Sequence, residues 1–150
     1  MKNIISKPLL SFLVFAAVAV SAYFINVEVQ SYLGRETLKR TGLVSLPLDK
    51  AKIKAKSENK HILVDVSAIW CATCRRLDSE IFADEDVKRV INERFVFSRL
   101  EYESDEGQNF LEKHKTAGFP NLWLLDGDGR VVKRLSVTFD KGEFLWQLYR

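Results

Sequence analysis

Apolar residues in this chain form one long unbroken block followed by a series of short ones. The two patterns predict different structures. From Pro8 to Val27 no residue is charged, and the run carries Leu9, Leu10, Phe12, Leu13, Phe15, Val18, Phe24 and Ile25 among others. As a helix rising about 1.5 Å per residue it spans about 30 Å, the thickness of a hydrocarbon core. Lys2 and Lys7 precede it, which keeps the N-terminus cytoplasmic and exports everything that follows. A cleaved signal peptide is the other reading, with Leu9 to Ala19 as its apolar region and Val20-Ser21-Ala22 as the cleavage site. The apolar run continues past that site through Tyr23, Phe24, Ile25 and Val27, which favours a retained anchor over residues 1–27.

Residues 28–47 show no clear period and are punctuated by Gly34, Gly42 and Pro47, so they read as a linker, part helical around Ser31–Arg40. The remainder, 48–150, alternates between two periods. Asp49 to Asn59 is expected to be a helix capped by Asp49, and His61 to Ser67 a buried, β-branched strand. Helices follow at Cys71–Phe82 and Asp84–Arg94, a strand at Phe95–Tyr102 and a helix at Asp105–Lys115. Asn121–Leu125 and Arg130–Val137 read as a hairpin around Asp126-Gly127-Asp128-Gly129, and Asp140 caps a last helix. Strands alternating with helices and ending in a hairpin predict an α/β fold with a central mixed sheet covered on both faces.

Composition narrows the function. The chain has 150 residues, 47% of them hydrophobic and 29% charged, with a net charge of +3. It is neither a disordered tail nor a polytopic membrane protein. The positive charge sits in 28–60 while the body is mildly acidic, which argues against a nucleic-acid partner. Two cysteines rule out a disulfide-rich scaffold and a four-thiolate zinc site. His61 and His114 have no useful spacing to them, so no metal site and no cofactor is expected. The acids Glu101, Glu103, Asp105 and Glu106 read as a solvated rim.

The chemistry concentrates in Trp70-Cys71-Ala72-Thr73-Cys74, which follows a predicted strand and opens a predicted helix. Three residues apart on a helix, both sulfurs face one side. One thiol can then attack a disulfide while the other waits to resolve the adduct. A helix N-terminus offers free N–H groups and partial positive charge to the first sulfur, and Arg75 adds cationic character. Cys74, deeper in the helix, is expected to be the less reactive thiol. A structural disulfide between Cys71 and Cys74, or half of a metal site, stays open on spacing alone.

Four elements occur together here: Val64-Asp65-Val66, Trp70 to Cys74, Gly118-Phe119-Pro120 and the Asp126–Gly129 turn. With them the chain resembles the thioredoxin superfamily over about Leu48 to Arg150. Within it, Ser79 to Asp84 is similar to the C-terminal periplasmic domain of the thiol:disulfide interchange protein DsbD. The resemblance implies a thioredoxin-like fold and a redox-active Cys71/Cys74 disulfide, with Cys71 as nucleophile and Cys74 as resolving thiol. It implies a buried, proton-relaying Asp65 whose pKa is raised by burial. It implies a cis Pro120 facing the sulfurs, with Phe119 and Trp70 beside it as substrate-binding surface. It further implies a disulfide-bearing protein substrate, a membrane electron donor and a reducing direction. The site would then lie in the periplasm on a single-pass inner-membrane protein, or in a soluble periplasmic one if the signal is cleaved. A thioredoxin-like binding module for a metal or an apocytochrome, without turnover, is the alternative. Asp65 as a satisfied polar residue, Trp70 as packing and Pro120 as a trans turn residue are the plainer readings. Two positions depart from the family's habit: Asn121 stands where many members carry Thr, and Ser136 and Val137 where many carry glycine.

Overall fold

A computed structural model describes residues 7–150; Lys2, the first cation expected to flank the apolar run, lies outside them. Helix α1 runs without a break from Lys7 to Thr41. The stretch read as a linker is therefore helical as far as Thr41. One face of this half carries Ser31, Gly34 and Thr41, all buried at helical spacing. Small and polar residues make that stripe, so hydropathy alone does not reveal it. Gly42 ends α1 with φ of 66°, the left-handed conformation in which glycine terminates a helix without steric cost.

Helix α2, Leu48–Glu58, starts one residue earlier than expected and has no side-chain cap of its own. Pro47 occupies the cap position, Asp49 falls in the first turn, and the Leu48 N–H donates to Glu106 Oε1 at 3.2 Å. The orphan amide is thus satisfied from a neighbouring helix, because Leu48 is drawn into the core. Then come β1 (His61–Ser67), α3 (Ala72–Leu77), a π-helical turn (Asp78–Phe82), α4 (Glu85–Arg94) and β2 (Phe95–Glu101). The chain ends with α5 (Asp105–Lys113), β3 (Asn121–Leu125), β4 (Val131–Leu135) and α6 (Lys141–Tyr149). The helix expected over Cys71–Phe82 is therefore two pieces. The π turn, a form that often marks functional sites, turns Ile81 and Phe82 into the core and buries Asp78.

The sheet order is β2-β1-β3-β4, with β1 parallel to β2 and antiparallel to β3, and β3 antiparallel to β4. Strand β4 is shorter than the predicted Arg130–Val137. Past Leu135 the Ser136 backbone exchanges hydrogen bonds with the Gln147 side chain instead of a ladder partner. Side chains alternate across β1. Ile62, Val64 and Val66 pack with α2 and α5 residues such as Ala51, Ala55 and Phe110. Leu63 faces the other way, into the layer of Leu77, Phe82, Ile91 and Phe144 from α3, the π turn, α4 and α6. Asp65 and Ser67 share the parity of Leu63, so they point toward the helix that carries the cysteines. This alternation places the site.

Phe82 is fully buried, with edge contacts to Phe97 at 5.4 Å and Phe144 at 5.8 Å between ring centroids. Phe82→Ala should cost about 3–5 kcal/mol of stability, read as a lowered urea midpoint for the detergent-solubilised chain. An unchanged midpoint would contradict this packing.

Candidate active site

Strand β1 ends at Ser67, the chain turns through Ala68, Ile69 and Trp70, and Cys71 becomes the N-cap of α3. In place of a cap oxygen, Cys71 Sγ accepts the backbone N–H of Cys74 at 3.1 Å. Both cysteines are free thiols. Cys71 keeps 7% of its surface exposed and Cys74 only 1%, so Cys71 is the sulfur that reaches the surface. Burial pushes the Cys74 thiol well above the ordinary thiol value; the hydrogen bond and charge of Cys71 push the same way, against the Ala68 backbone and Ser67. Cys74 is thereby held as the protonated thiol.

Beneath the sulfurs lies a buried polar cluster set up by strand register. Asp65 on β1 pairs in register with Arg99 on β2. Asp65 is completely buried, and its Oδ1 accepts the Ser67 hydroxyl at 2.5 Å. Its Oδ2 has no hydrogen-bond partner and faces Arg99 Nε at 3.5 Å, an ionic contact too long for a hydrogen bond. Arg99 spends its hydrogen bond on Asp78, Nη1 to Oδ1 at 2.8 Å. Desolvation raises the Asp65 pKa, opposed by the Arg99 charge and the Ser67 hydrogen bond. Asp78 is likewise pushed up by burial, to about 6, against the pull of Arg99. Two carboxyls thus share one guanidinium in the interior, a poor arrangement for two full negative charges and a good one for holding a proton.

The opposite wall is the Phe119–Pro120 segment, whose peptide bond is cis. Phe119 and Trp70 pack against the cluster of Ala68, Cys71 and Cys74. Phe119 contacts Trp70 edge-on at 5.3 Å and Tyr102 at 4.5 Å between centroids. Asn121, where the family often has Thr, has a structural use. Its amide donates to the carbonyls of Ala117 at 3.1 Å and Gly118 at 2.7 Å, and its oxygen accepts from Arg134. The side chain ties down the loop that carries the proline.

The structure therefore brings Asp65, Trp70, Cys71, Cys74, Phe119 and Pro120 together, and adds Ser67, Asp78, Arg99 and Tyr102, which sequence reasoning missed. Parity with Asp65 on a predicted strand could have flagged Ser67. Arg99 and Asp78 depended on strand register and on the π turn. Two acids read as solvated rim are instead ties to the reactive loop. Glu101 Oε1 accepts the Ile69 N–H at 3.0 Å, and Glu103 Oε1 accepts the Trp70 indole N–H at 3.2 Å. His114 sits elsewhere, in tilted contact with Phe110 and Trp123. Among the described residues no group of three or more His, Cys, Asp or Glu is placed to hold a metal ion.

A family model described as a thioredoxin-like domain matches residues 48–149. The chain belongs to that family. Relatives include thiol:disulfide interchange protein DsbD 2 of Pseudomonas aeruginosa, 32% identical over 109 residues, which is 69% of this chain and 18% of that protein. UBX domain-containing protein 2 of Schizosaccharomyces pombe is 31% identical over 102 residues, 67% of this chain and 24% of that protein. The match thus spans a quarter or less of the length of these curated relatives. A thioredoxin from Thermus thermophilus shares the fold at TM-score 0.65 and 24% identity, covering 71% of this chain and 85% of that one. The reduced C-terminal domain of Neisseria meningitidis DsbD does so at TM-score 0.56 and 22% identity, covering 68% and 91%. This thioredoxin-like domain therefore has thiol:disulfide interchange proteins among its neighbours and carries a cysteine pair of its own.

The raised carboxyl of Asp78 has a stability consequence. A carboxyl with folded pKa of about 6 against an ordinary 3.8 binds more protons folded than unfolded between those values. Stability from this group is therefore full below about pH 4 and falls as pH rises through about 6. Relative to Asp78→Asn, the wild type should lose stability across that window in paired urea titrations. A stability difference that stays flat from pH 4 to 6 would contradict the shift.

Proposed function

We propose that this chain is an exported, membrane-tethered thiol:disulfide oxidoreductase that reduces disulfides in protein substrates. The observation that carries the chemistry is the asymmetry of the pair: Cys71 at the rim and at a helix cap, Cys74 buried with its proton held above a buried acid. Cys71 as thiolate attacks one sulfur of a substrate disulfide, forming a mixed disulfide and releasing the other sulfur as a thiolate that takes up a proton. Cys74 then gives its proton to Asp65, with the Ser67 hydroxyl bonded to that carboxyl, and attacks Cys71 Sγ. The Cys71–Cys74 bond forms as the Cys71–substrate bond breaks, the expelled substrate thiolate takes up the proton that Asp65 received, and the substrate leaves as a dithiol. Two electrons and two protons have moved to substrate, and a partner dithiol at the membrane would restore them. Trp70, Phe119 and the cis Pro120 form the apolar wall on which the substrate chain docks.

The tether rests on α1, which is long and apolar enough to cross a membrane. Along its apolar half the large side chains stand exposed: Phe12 is 66% exposed, Phe15 73% and Phe24 64%. The reducing direction and the periplasmic setting rest on the relationship to the DsbD domain. The membrane-bound form should resist extraction by alkaline carbonate, with the chain starting at Met1; release as a shortened soluble chain would favour signal cleavage instead.

Cys74→Ser should accumulate mixed disulfides through Cys71, seen as reductant-sensitive adducts on non-reducing gels, and Cys71→Ser should not. If neither adducts nor turnover of a test disulfide appears, the oxidoreductase reading is wrong. Asp65→Asn should slow resolution of the mixed disulfide by about 10²-fold or more near neutral pH, with little change in the first attack. An equilibrium potential near −270 mV supports the reducing direction, and one near −120 mV overturns it.

A further inference from the structure

Helix α1 does more than anchor the domain: its second half is bolted to the chain on both sides of Cys71, to the loop before it and to α3 after it. A Cβ on Gly34 would lie 1.9 Å from the Ile69 carbonyl oxygen, so the helix backbone touches the loop two residues before the sulfur. Four residues after it, Arg75 Nη1 donates to Gln30 Oε1 at 2.7 Å. Ser31 is 6% exposed and Thr41 fully buried along the same face. Gly34 is the only glycine between Lys7 and Thr41, and no proline follows Pro8 within the helix. The span and the clamp are thus one continuous rod, with no joint between membrane and active site.

The rod fixes a height. The uncharged run ends at Val27, and Gln30 and Gly34 lie about 4.5 Å and 10 Å beyond it at about 1.5 Å per residue. Both clamp points therefore fall within or just above the headgroup layer, about 5–8 Å deep on each side of the hydrocarbon. A cavity of about 400 Å³ next to Trp70 sits at the same level of the helix. It is lined by Tyr23, Asn26 and Val27 of the apolar run as well as by Trp70 and Glu103. With the apolar run in the bilayer its floor would lie at the membrane boundary, and Tyr23 and Trp70 are the aromatic types that settle there.

We infer that α1 is a rigid stalk that holds Cys71 at the membrane surface, so that the disulfides it reduces are those carried on membrane-proximal segments of membrane-anchored proteins. This rests on the tethered oxidoreductase reading and adds the substrate class. A soluble folded domain, with a radius of gyration of about 13 Å for 100 residues, must push into the headgroups to reach a sulfur at that height. A segment emerging from the bilayer arrives there directly. Because Cys71 cannot swing outward on a linker, height selects the substrate.

The test uses the full chain in phosphatidylcholine vesicles with two single-span probe peptides. In one the disulfide lies two residues above the apolar run; in the other it lies beyond a flexible Gly-Ser spacer of about fifteen residues. Both are confined to the same bilayer, so tethering alone favours neither. The wild type should reduce the near probe about tenfold faster than the far one. A variant with a flexible six-residue insert between Glu28 and Val29 keeps the clamp but frees the height, and should bring the two rates within about twofold. Equal rates in the wild type, or a faster far probe, overturn the stalk while leaving the oxidoreductase reading intact. Failure to reduce either probe and a small soluble disulfide as well overturns the oxidoreductase reading and the stalk with it.

Discussion

The proposed exchange turns on a buried thiol that has to lose its proton without help from water. Cys74 is 1% exposed and held well above the ordinary thiol pKa by desolvation. A sulfur in that state is inert toward solvent and toward stray oxidants, yet it must become a nucleophile once Cys71 is linked to a substrate. Something inside the fold has to take the proton at that moment. In the proposed exchange Asp65 is the base, and desolvation raises its pKa against the pull of Arg99 and of the Ser67 hydrogen bond.

That requirement accounts for the neighbours. A lone carboxylate in the interior would be costly, and the Arg99 guanidinium stands beside it at 3.5 Å, its charge opposing the rise that burial imposes. Arg99 is instead hydrogen-bonded to Asp78, which the π turn delivers to the same spot. Parallel pairing of β1 with β2 sets Asp65 against Arg99, and side-chain alternation turns both toward α3. The acids at the mouth, Glu101 and Glu103, steady the loop that presents Cys71. Packing, register and capping therefore all converge on two sulfurs of unequal exposure.

Much of this was legible in the chain. The strands at His61–Ser67 and Asn121–Leu125 are found at their expected limits, because fully buried apolar runs bounded by polar turns leave little choice. Cys71 and Cys74 announced themselves as a spaced pair at a strand-to-helix turn, whereas Asp65 and Pro120 stood out by resemblance. What stayed hidden depended on three-dimensional register. Arg99 looks like any charge on an alternating strand until β1 lies beside it. Ser31, Gly34 and Thr41 form a packing stripe without one large apolar residue, so the second half of α1 read as a linker. Asp49 looked like a cap because its competitor, Glu106, is far along the chain.

The account stands on the inequality of the two thiols, and time-resolved alkylation of the fully reduced chain, with each cysteine quantified by mass spectrometry, measures it directly. At neutral pH Cys71 should label rapidly and Cys74 should stay unmodified until the domain is unfolded. Equal labelling of both, or faster labelling of Cys74, would contradict a buried, proton-holding partner and the exchange chemistry built on it.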